Sequence, residues 1–320
     1  METLMNGFEF LQQALYEACV QPLAVWVGAS NLLEQAYEGT GWLLVGLLQI
    51  AIMLVVMAPM EKIWPVEHWR DRQAVWIDVL YTLIHRLGVF KLAMFFTLEN
   101  GLDHAWGWLR VQGVPTLHLD QIWPGVTDIA WVSFVLYLVV FDFVHYLIHR
   151  AQHAFEPWWA LHSLHHSQRQ MTMWSDNRNH LLDDVITSLI LSIVAVLLGV
   201  APAQFVALVA LSQLSESFQH ANVKLWFGHI GERLWVSPRF HRLHHSIGVG
   251  HETVLAHQTV LGGCNFGVLL PVWDILGGTA NFKYRFDPTG VRDQVEQGRD
   301  YGVGFWAQQR LGVLRLIGRA

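Results

Sequence analysis

Charge is scarce in this chain. Only 14% of its 320 residues are Asp, Glu, Lys or Arg, where an ordinary soluble domain carries about a quarter. With 53% hydrophobic residues and a mean hydropathy of +0.31, that scarcity excludes both a water-soluble globule and a disordered chain. A basic surplus is missing as well. The net charge of -6 argues against nucleic acid as a partner. Cysteine is nearly absent, and Cys19 and Cys264 alone build neither a disulfide framework nor a thiolate metal site. Any metal must therefore rest on nitrogen and oxygen. The first forty residues hold no Lys or Arg, so no cleavable signal peptide is expected there.

Eighteen histidines and sixteen tryptophans are the two excesses. Tryptophan favours the membrane–water interface, and histidine is the commonest metal ligand at neutral pH. Five apolar stretches lie along the chain: 41–60, 74–98, 126–148, 181–199 and 203–218. The first has no charge in about 20 residues, enough to cross roughly 30 Å of hydrocarbon, and Pro65 stops it. The second carries His85, Arg86 and Lys91, which are expected to face protein or the interface. Ala201-Pro202 separates the last two as a tight helical hairpin.

Basic residues gather in 61–73, 149–180 and 220–320, whereas 99–125 holds only Arg110. The positive-inside rule then places those three segments in the cytoplasm and predicts five crossings. The fold class expected is an all-α integral membrane protein. It is a bundle of four to five transmembrane helices under a cytoplasmic, histidine-rich helical cap. No repeats or long linkers appear. A catalytic domain is expected over 74–280, after an N-terminal segment 1–73 with the first crossing and before a C-terminal tail 281–320.

Fourteen of the histidines lie between 145 and 257. His145, His149 and His153 repeat every four residues, on one helical face. Asp142 shares that face and is placed to orient a ligand imidazole. His162, His165 and His166 are spaced i, i+3, i+4, and His241, His244 and His245 repeat that spacing. A single His near a helix end is usually a cap or interface residue, the reading given to His68, His85, His104 and His118. Two identical triplets are a different matter, since each needs three histidines within five positions.

Eight to ten imidazoles exceed what one ion accepts, so two ions are implied. Imidazole suits zinc, iron, copper and nickel alike. The apolar bundle beneath the cluster points to a lipid-soluble substrate. Attack on its unactivated C–H bonds calls for iron and dioxygen. Three rivals stay open: a bis-histidine haem electron carrier, a divalent-metal transporter and a di-zinc hydrolase.

The strings Asp142-x3-Tyr146-x2-His149-Arg150-x2-His153, Leu161-His162-x2-His165-His166-Ser167 and Pro238-x2-His241-Arg242-x-His244-His245 resemble the fatty acid hydroxylase/sterol desaturase superfamily. Arg178-Asn179-His180, Phe218-Gln219-His220-Ala221-Asn222 and Asn265-Phe266-Gly267-x5-Trp273-Asp274-x2-Gly277-Gly278-Thr279 are similar to three further elements of it. The resemblance covers about 74–280. It implies a membrane-bound non-haem di-iron oxygenase using two Fe2+ ions, O2 and a separate cytochrome b5- or ferredoxin-type electron donor to hydroxylate or desaturate a lipid. The ligands it implies are His149, His153, His162, His165, His166, His180, His220, His241, His244 and His245. Glu216, one turn before His220, stands where some members carry another histidine and is a further candidate. Gly277 stands where the family usually has Phe. The stretch between His245 and Asn265 is longer than usual, and its His251 and His257 are expected in a lid or partner surface.

Overall fold

The longest apolar stretches set the first elements. In the computed structural model, which describes residues 2–248, 252–255 and 258–320, helices α1 (Glu2–Leu15) and α2 (Gln21–Trp26) precede α3 (Leu33–Ile52). A π turn then leads into α4 (Ala58–Ile63). Ser30–Ile63 as a whole is long and apolar enough to cross a bilayer. Helices α5 (Arg72–Arg86) and α6 (Val89–Met94) meet at Gly88, whose φ of 79° no other residue adopts cheaply. The bend between Arg72–Arg86 and Val89–Leu98 is 54°. After α7 (Asn100–Val111) comes α8 (Ala130–Ala154), the second uninterrupted helix able to span a membrane.

The chain divides into two units, residues 1–52 with 83–108 and residues 53–82 with 109–320. In the first, Tyr16 meets Tyr37 edge to face. Gly46 of α3 lies so close to the Arg86 carbonyl that a Cβ would sit 1.7 Å from its oxygen. Buried Arg86 donates to Gln49 at 3.1 Å, and Lys91 lies over the Trp42 ring. The charges inside the second apolar stretch thus face protein.

In the second unit, Phe155 takes an extended conformation (φ -103°, ψ 116°) and ends α8. Pro157 then opens α9 (Glu156–His166) in its first turn, so the chain reverses. Helices α10 (Leu181–Leu197) and α11 (Pro202–His220) follow, with Gly199 at φ 64° in the turn between them. Tyr137 and Phe141 of α8 bury against Leu208 of α11, with Leu191 and Val194 of α10 around them. Helix α12 (Gly228–Leu234) precedes α13 (Pro238–His244), which Ser237 caps by accepting from the Phe240 N–H at 3.1 Å; such a cap contributes about 1 kcal/mol. An antiparallel hairpin of β1 (Glu252–Leu255) and β2 (Gln258–Leu261) comes next, unexpected in an all-α reading. Helices α14 (Val272–Gly277), α15 (Arg292–Glu296) and α16 (Phe305–Leu316) complete the unit. His251 and His257 lie outside the described residues.

Five crossings were expected. Among the described residues two helices qualify, or three if the bent α5–α6 pair is one span. Helix α10 has 17 residues, about 25 Å at 1.5 Å per residue, short of a roughly 30 Å core. The second half of α11 carries Ser212, Gln213, Ser215, Glu216 and Ser217, which break its apolar run.

Candidate metal centre

Four helices bring nine imidazoles to one buried place. His149 and His153 come from the last turns of α8, and His162, His165 and His166 from the end of α9. His220 closes α11. His241 and His244 come from α13, with His245 as its C-terminal cap. They form two groups able to hold a metal ion: His149, His153, His162, His166 and His244, and then His165, His220, His241 and His245. In each group one ligand atom per residue lies within 4.8 Å of all the others, and every member is buried.

The triplets divide in opposite senses. On a helix, residues i and i+4 sit about 40° apart, while i+3 falls on the other side of the stripe. His162 and His166 accordingly join the first group and His165 the second. His241 and His245 join the second group and His244 the first. The groups touch where the His166 and His245 rings stack at 4.2 Å.

The outward nitrogens fix the inward ones. A carbonyl or carboxylate oxygen only accepts, so each ring nitrogen bonded to one carries the proton. His149 Nδ1 donates to the Phe266 carbonyl (2.9 Å), His244 Nδ1 to that of Cys264 (2.7 Å) and His220 Nδ1 to that of Glu216 (2.8 Å). His162 Nδ1 donates to Asp183 Oδ2 (3.1 Å). With Nδ1 so committed, the Nε2 atoms of these rings are the ones left to face a metal. His166 and His244 Nε2 are 3.1 Å apart, as are the Nε2 pairs His165–His220, His220–His241 and His241–His245. Nitrogens about 2.1 Å from one metal ion stand about 3.0 to 3.4 Å from each other in octahedral or tetrahedral sites. The donor set therefore fits bound metal.

At five of these rings protonation does not compete at neutral pH. Burial, then repulsion from neighbouring imidazoles, holds His165, His166, His241 and His245 well below the ordinary histidine range. Burial, partly offset by the bond to Cys264, brings His244 to about 3.

Three of the expected site residues stand apart from both groups. His180 lies in neither group. It caps α10, its Nδ1 accepting from the Leu182 N–H at 3.1 Å while its Nε2 donates to the Gln309 carbonyl at 2.8 Å, so both nitrogens are committed. Asp142 touches no imidazole; it accepts from the backbone N–H groups of Leu269 (2.7 Å) and Leu270 (3.0 Å) and from Trp273 Nε1 (2.9 Å). It holds the segment whose Phe266 carbonyl receives His149. The Glu216 carboxylate belongs to neither group, and its backbone carbonyl orients His220 instead. His145 also remains outside both.

The partner of the His162 ring, Asp183, was missed. It is buried and also accepts from Gln152 Nε2 (2.8 Å) and Trp158 Nε1 (2.6 Å). The Trp-Asp-x2-Gly-Gly-Thr string finds its reason here too. Asp274 accepts from the N–H groups of Phe266 (2.8 Å) and Gly267 (2.7 Å) and from Thr279 Oγ1 (2.6 Å). A Cβ on Gly277 would lie 2.0 Å from the Tyr146 hydroxyl, which fills the space of a larger side chain.

The fatty acid hydroxylase family model matches residues 134–279, which hold all nine imidazoles. The ornithine lipid hydroxylase of Rhizobium tropici is 28% identical over 249 residues, 77% of this chain and 70% of that protein. A fatty acid hydroxylase of a Lecanicillium species is 23% identical over 179 residues, 51% of this chain and 46% of its own. The alkylglycerol monooxygenase of Caenorhabditis elegans is 24% identical over 166 residues, 51% of this chain and 30% of its own. The chain thus spans less than half the length of the last two. No solved structure matches it.

Proposed function

We propose, from the match of residues 134–279 to the fatty acid hydroxylase family model, that the chain is a membrane-bound non-haem di-iron oxygenase that hydroxylates a lipid. The observation that carries the reading is the division of nine buried imidazoles into a group of five and a group of four. A bis-histidine haem needs two facing histidines, not nine. A transporter needs ligands deep in its spans, whereas these come from helix ends. The relatives are hydroxylases and a monooxygenase, all oxidoreductases.

The reaction balances as R–H + O2 + 2 electrons + 2 H+ giving R–OH + H2O. Iron bound by the two groups supplies the dioxygen chemistry and the redox capacity to break a C–H bond. The chain supplies the rest. His149, His153, His162, His166 and His244 would hold one ion, and His165, His220, His241 and His245 the other. Asp183 and the carbonyls of Phe266, Cys264 and Glu216 keep the ligand rings in the tautomer that coordinates. Burial keeps water and protons out of the site. Electrons come from a cytochrome b5- or ferredoxin-type donor in trans. On this reading the chain is a multi-pass bilayer protein with the site on the cytoplasmic side, supported by two helices long and apolar enough to span and by the basic bias of the segments that carry the histidines. The Rhizobium relative makes an ornithine-type lipid the first substrate to offer.

The test is lipid mass spectrometry of cells with and without the chain, grown under 18O2. A lipid gaining one 18O, with two irons per purified chain, supports the reading. A lipid lighter by two hydrogens would make it a desaturase. Turnover that persists without oxygen would favour the di-zinc hydrolase and overturn it.

A further inference from the structure

The first apolar span ends at Ile63, and a distant segment is fastened to the residues just beyond. The Lys224 N–H donates to the Trp64 carbonyl at 2.8 Å, and Pro65 and Val223 form an antiparallel bridge. Asn222 Oδ1 accepts from the N–H groups of Val66 and Glu67, both at 3.2 Å, and its Nδ2 donates to the Glu67 carbonyl at 2.7 Å. Residues 222–225 are thereby held at one end of Ser30–Ile63, which, read as a membrane span, sets them at the level of lipid headgroups.

The surface around this junction is exposed and of interfacial composition. Trp64 is 59% exposed, Ile230 of α12 76% and Leu234 64%, and Trp226 and Tyr284 are exposed beside them. Water offers these side chains nothing, whereas a bilayer interface accepts them. Between them lies a cavity of about 270 Å³ walled by Trp226, Phe282 and Tyr284. On its floor, Glu232 is spent on Arg239 and Ser237, all three buried. Arg233 is spent on no carboxylate among the described residues; its guanidinium lies over the Phe282 ring at 4.6 Å and bonds the His229 carbonyl. Lys224 and Lys283 are exposed nearby. The rim is aromatic and net positive.

We propose that this cavity binds the phosphate headgroup of an anionic bilayer lipid, with Arg233 on the phosphate and Trp226 and Tyr284 against the glycerol and upper acyl region. An aromatic wall with an unneutralised guanidinium matches a phosphodiester attached to an apolar chain. A zwitterionic headgroup would set its own cation against Arg233. The proposal rests on reading 30–63 as a membrane span and is independent of the metal's identity.

The experiment uses the purified full-length chain, delipidated in a non-ionic detergent. It is titrated with dioctanoyl phosphatidylglycerol or dioctanoyl phosphatidylcholine, and bound lipid is counted by native mass spectrometry. The unaltered chain is expected to hold phosphatidylglycerol about tenfold more tightly. Arg233→Gln should bring it to the phosphatidylcholine level, and Trp226→Ala should weaken both. Equal binding of the two lipids, or a preference that survives Arg233→Gln combined with Lys224→Gln and Lys283→Gln, overturns the proposal. So does displacement of the lipid by inorganic phosphate alone, which would mark a free-anion site. Iron per chain in the same samples separates a misfolded variant from one that has lost only the lipid. Failure of the lipid test with iron intact leaves the oxygenase reading standing.

Discussion

Asp183 Oδ2 accepts the Nδ1–H of His162 at 3.1 Å, with both side chains almost fully withdrawn from solvent. The carboxylate fixes the ring so that its Nε2 points at the first histidine group. Outer partners of this kind are worth about 10–100-fold in metal affinity. Asp183→Asn should therefore weaken iron binding at the first group by about that factor, since the amide loses the negative charge and offers one acceptor fewer. The Gln152 and Trp158 donors lose part of their partner as well, a cost of about 1–3 kcal/mol. Competition with a chelator of known affinity measures the first effect, and thermal unfolding of the metal-free protein the second. Unchanged chelator resistance would remove Asp183 from the site.

Opposite division of the two triplets makes a sharper demand. His165 serves the group of four and His244 the group of five. His165→Ala and His244→Ala should each lose one bound ion preferentially, so metal per chain falls from two toward one in both, at different sites. Both should abolish turnover. Elemental analysis counts the ions, and Mössbauer spectra of 57Fe-loaded protein identify which environment remains. Two full-strength ions in either variant contradict the grouping.

His180 separates the sequence reading from the geometry. With one nitrogen on the Leu182 N–H and the other on the Gln309 carbonyl, it has no lone pair left for an ion. Gly312 of α16 meets the same ring, where a Cβ would lie 2.2 Å from its Cδ2. His180→Ala should leave metal per chain unchanged and lower stability by about 1 kcal/mol through loss of the cap. A fall in bound metal without a fall in melting temperature would restore it as a ligand.

The histidine spacings were legible because a helix converts i, i+3, i+4 into one face using local geometry alone. Which member of each triplet serves which group was not, because that depends on how α9 and α13 approach each other. Asp183 carried no signal, since its role exists only once α10 lies beside α9. The Phe266 and Cys264 carbonyls were invisible for a plainer reason: every residue has one. Helical periodicity puts Asp142 on the histidine face, while the partners it bonds, Trp273 and the 269–270 backbone, come from a distant segment that periodicity does not reveal. The five crossings expected exceed the two helices, or three with the bent pair, that qualify by length and composition among the described residues, because α10 is short and polar residues interrupt α11 before His220.

Gly277 and Tyr146 offer a test of the departure at the last motif. The Tyr146 hydroxyl lies where a Cβ on Gly277 would go, bonds Arg150 Nη1 at 3.2 Å and stands 3.4 Å from Thr279 Oγ1. Gly277→Ala forces the ring aside, an overpacking expected to cost about 1–3 kcal/mol. Tyr146→Phe in the same chain removes the clashing oxygen and should recover part of that loss, seen as a rise in melting temperature over the single variant. If the double variant melts no higher than Gly277→Ala, the hydroxyl is not what fills the space.

Acid should unfold the metal-free protein by a route whose sign is fixed. His165, His166, His241 and His245 titrate well below the usual range in the folded chain, and His244 at about 3, whereas an unfolded histidine titrates near 6.5. Above about pH 7 neither state holds the proton, and these groups contribute no pH dependence. Below about 6.5 the unfolded chain takes up protons that the folded cage refuses, so stability falls as pH falls. Each ring that stays neutral costs about 1.4 kcal/mol per pH unit. The melting temperature of the stripped protein should be flat from pH 8 to 7 and drop steeply from 6.5 to 5.5. A constant melting temperature, or a rise on acidification, would mean that the imidazoles are not buried as a neutral set.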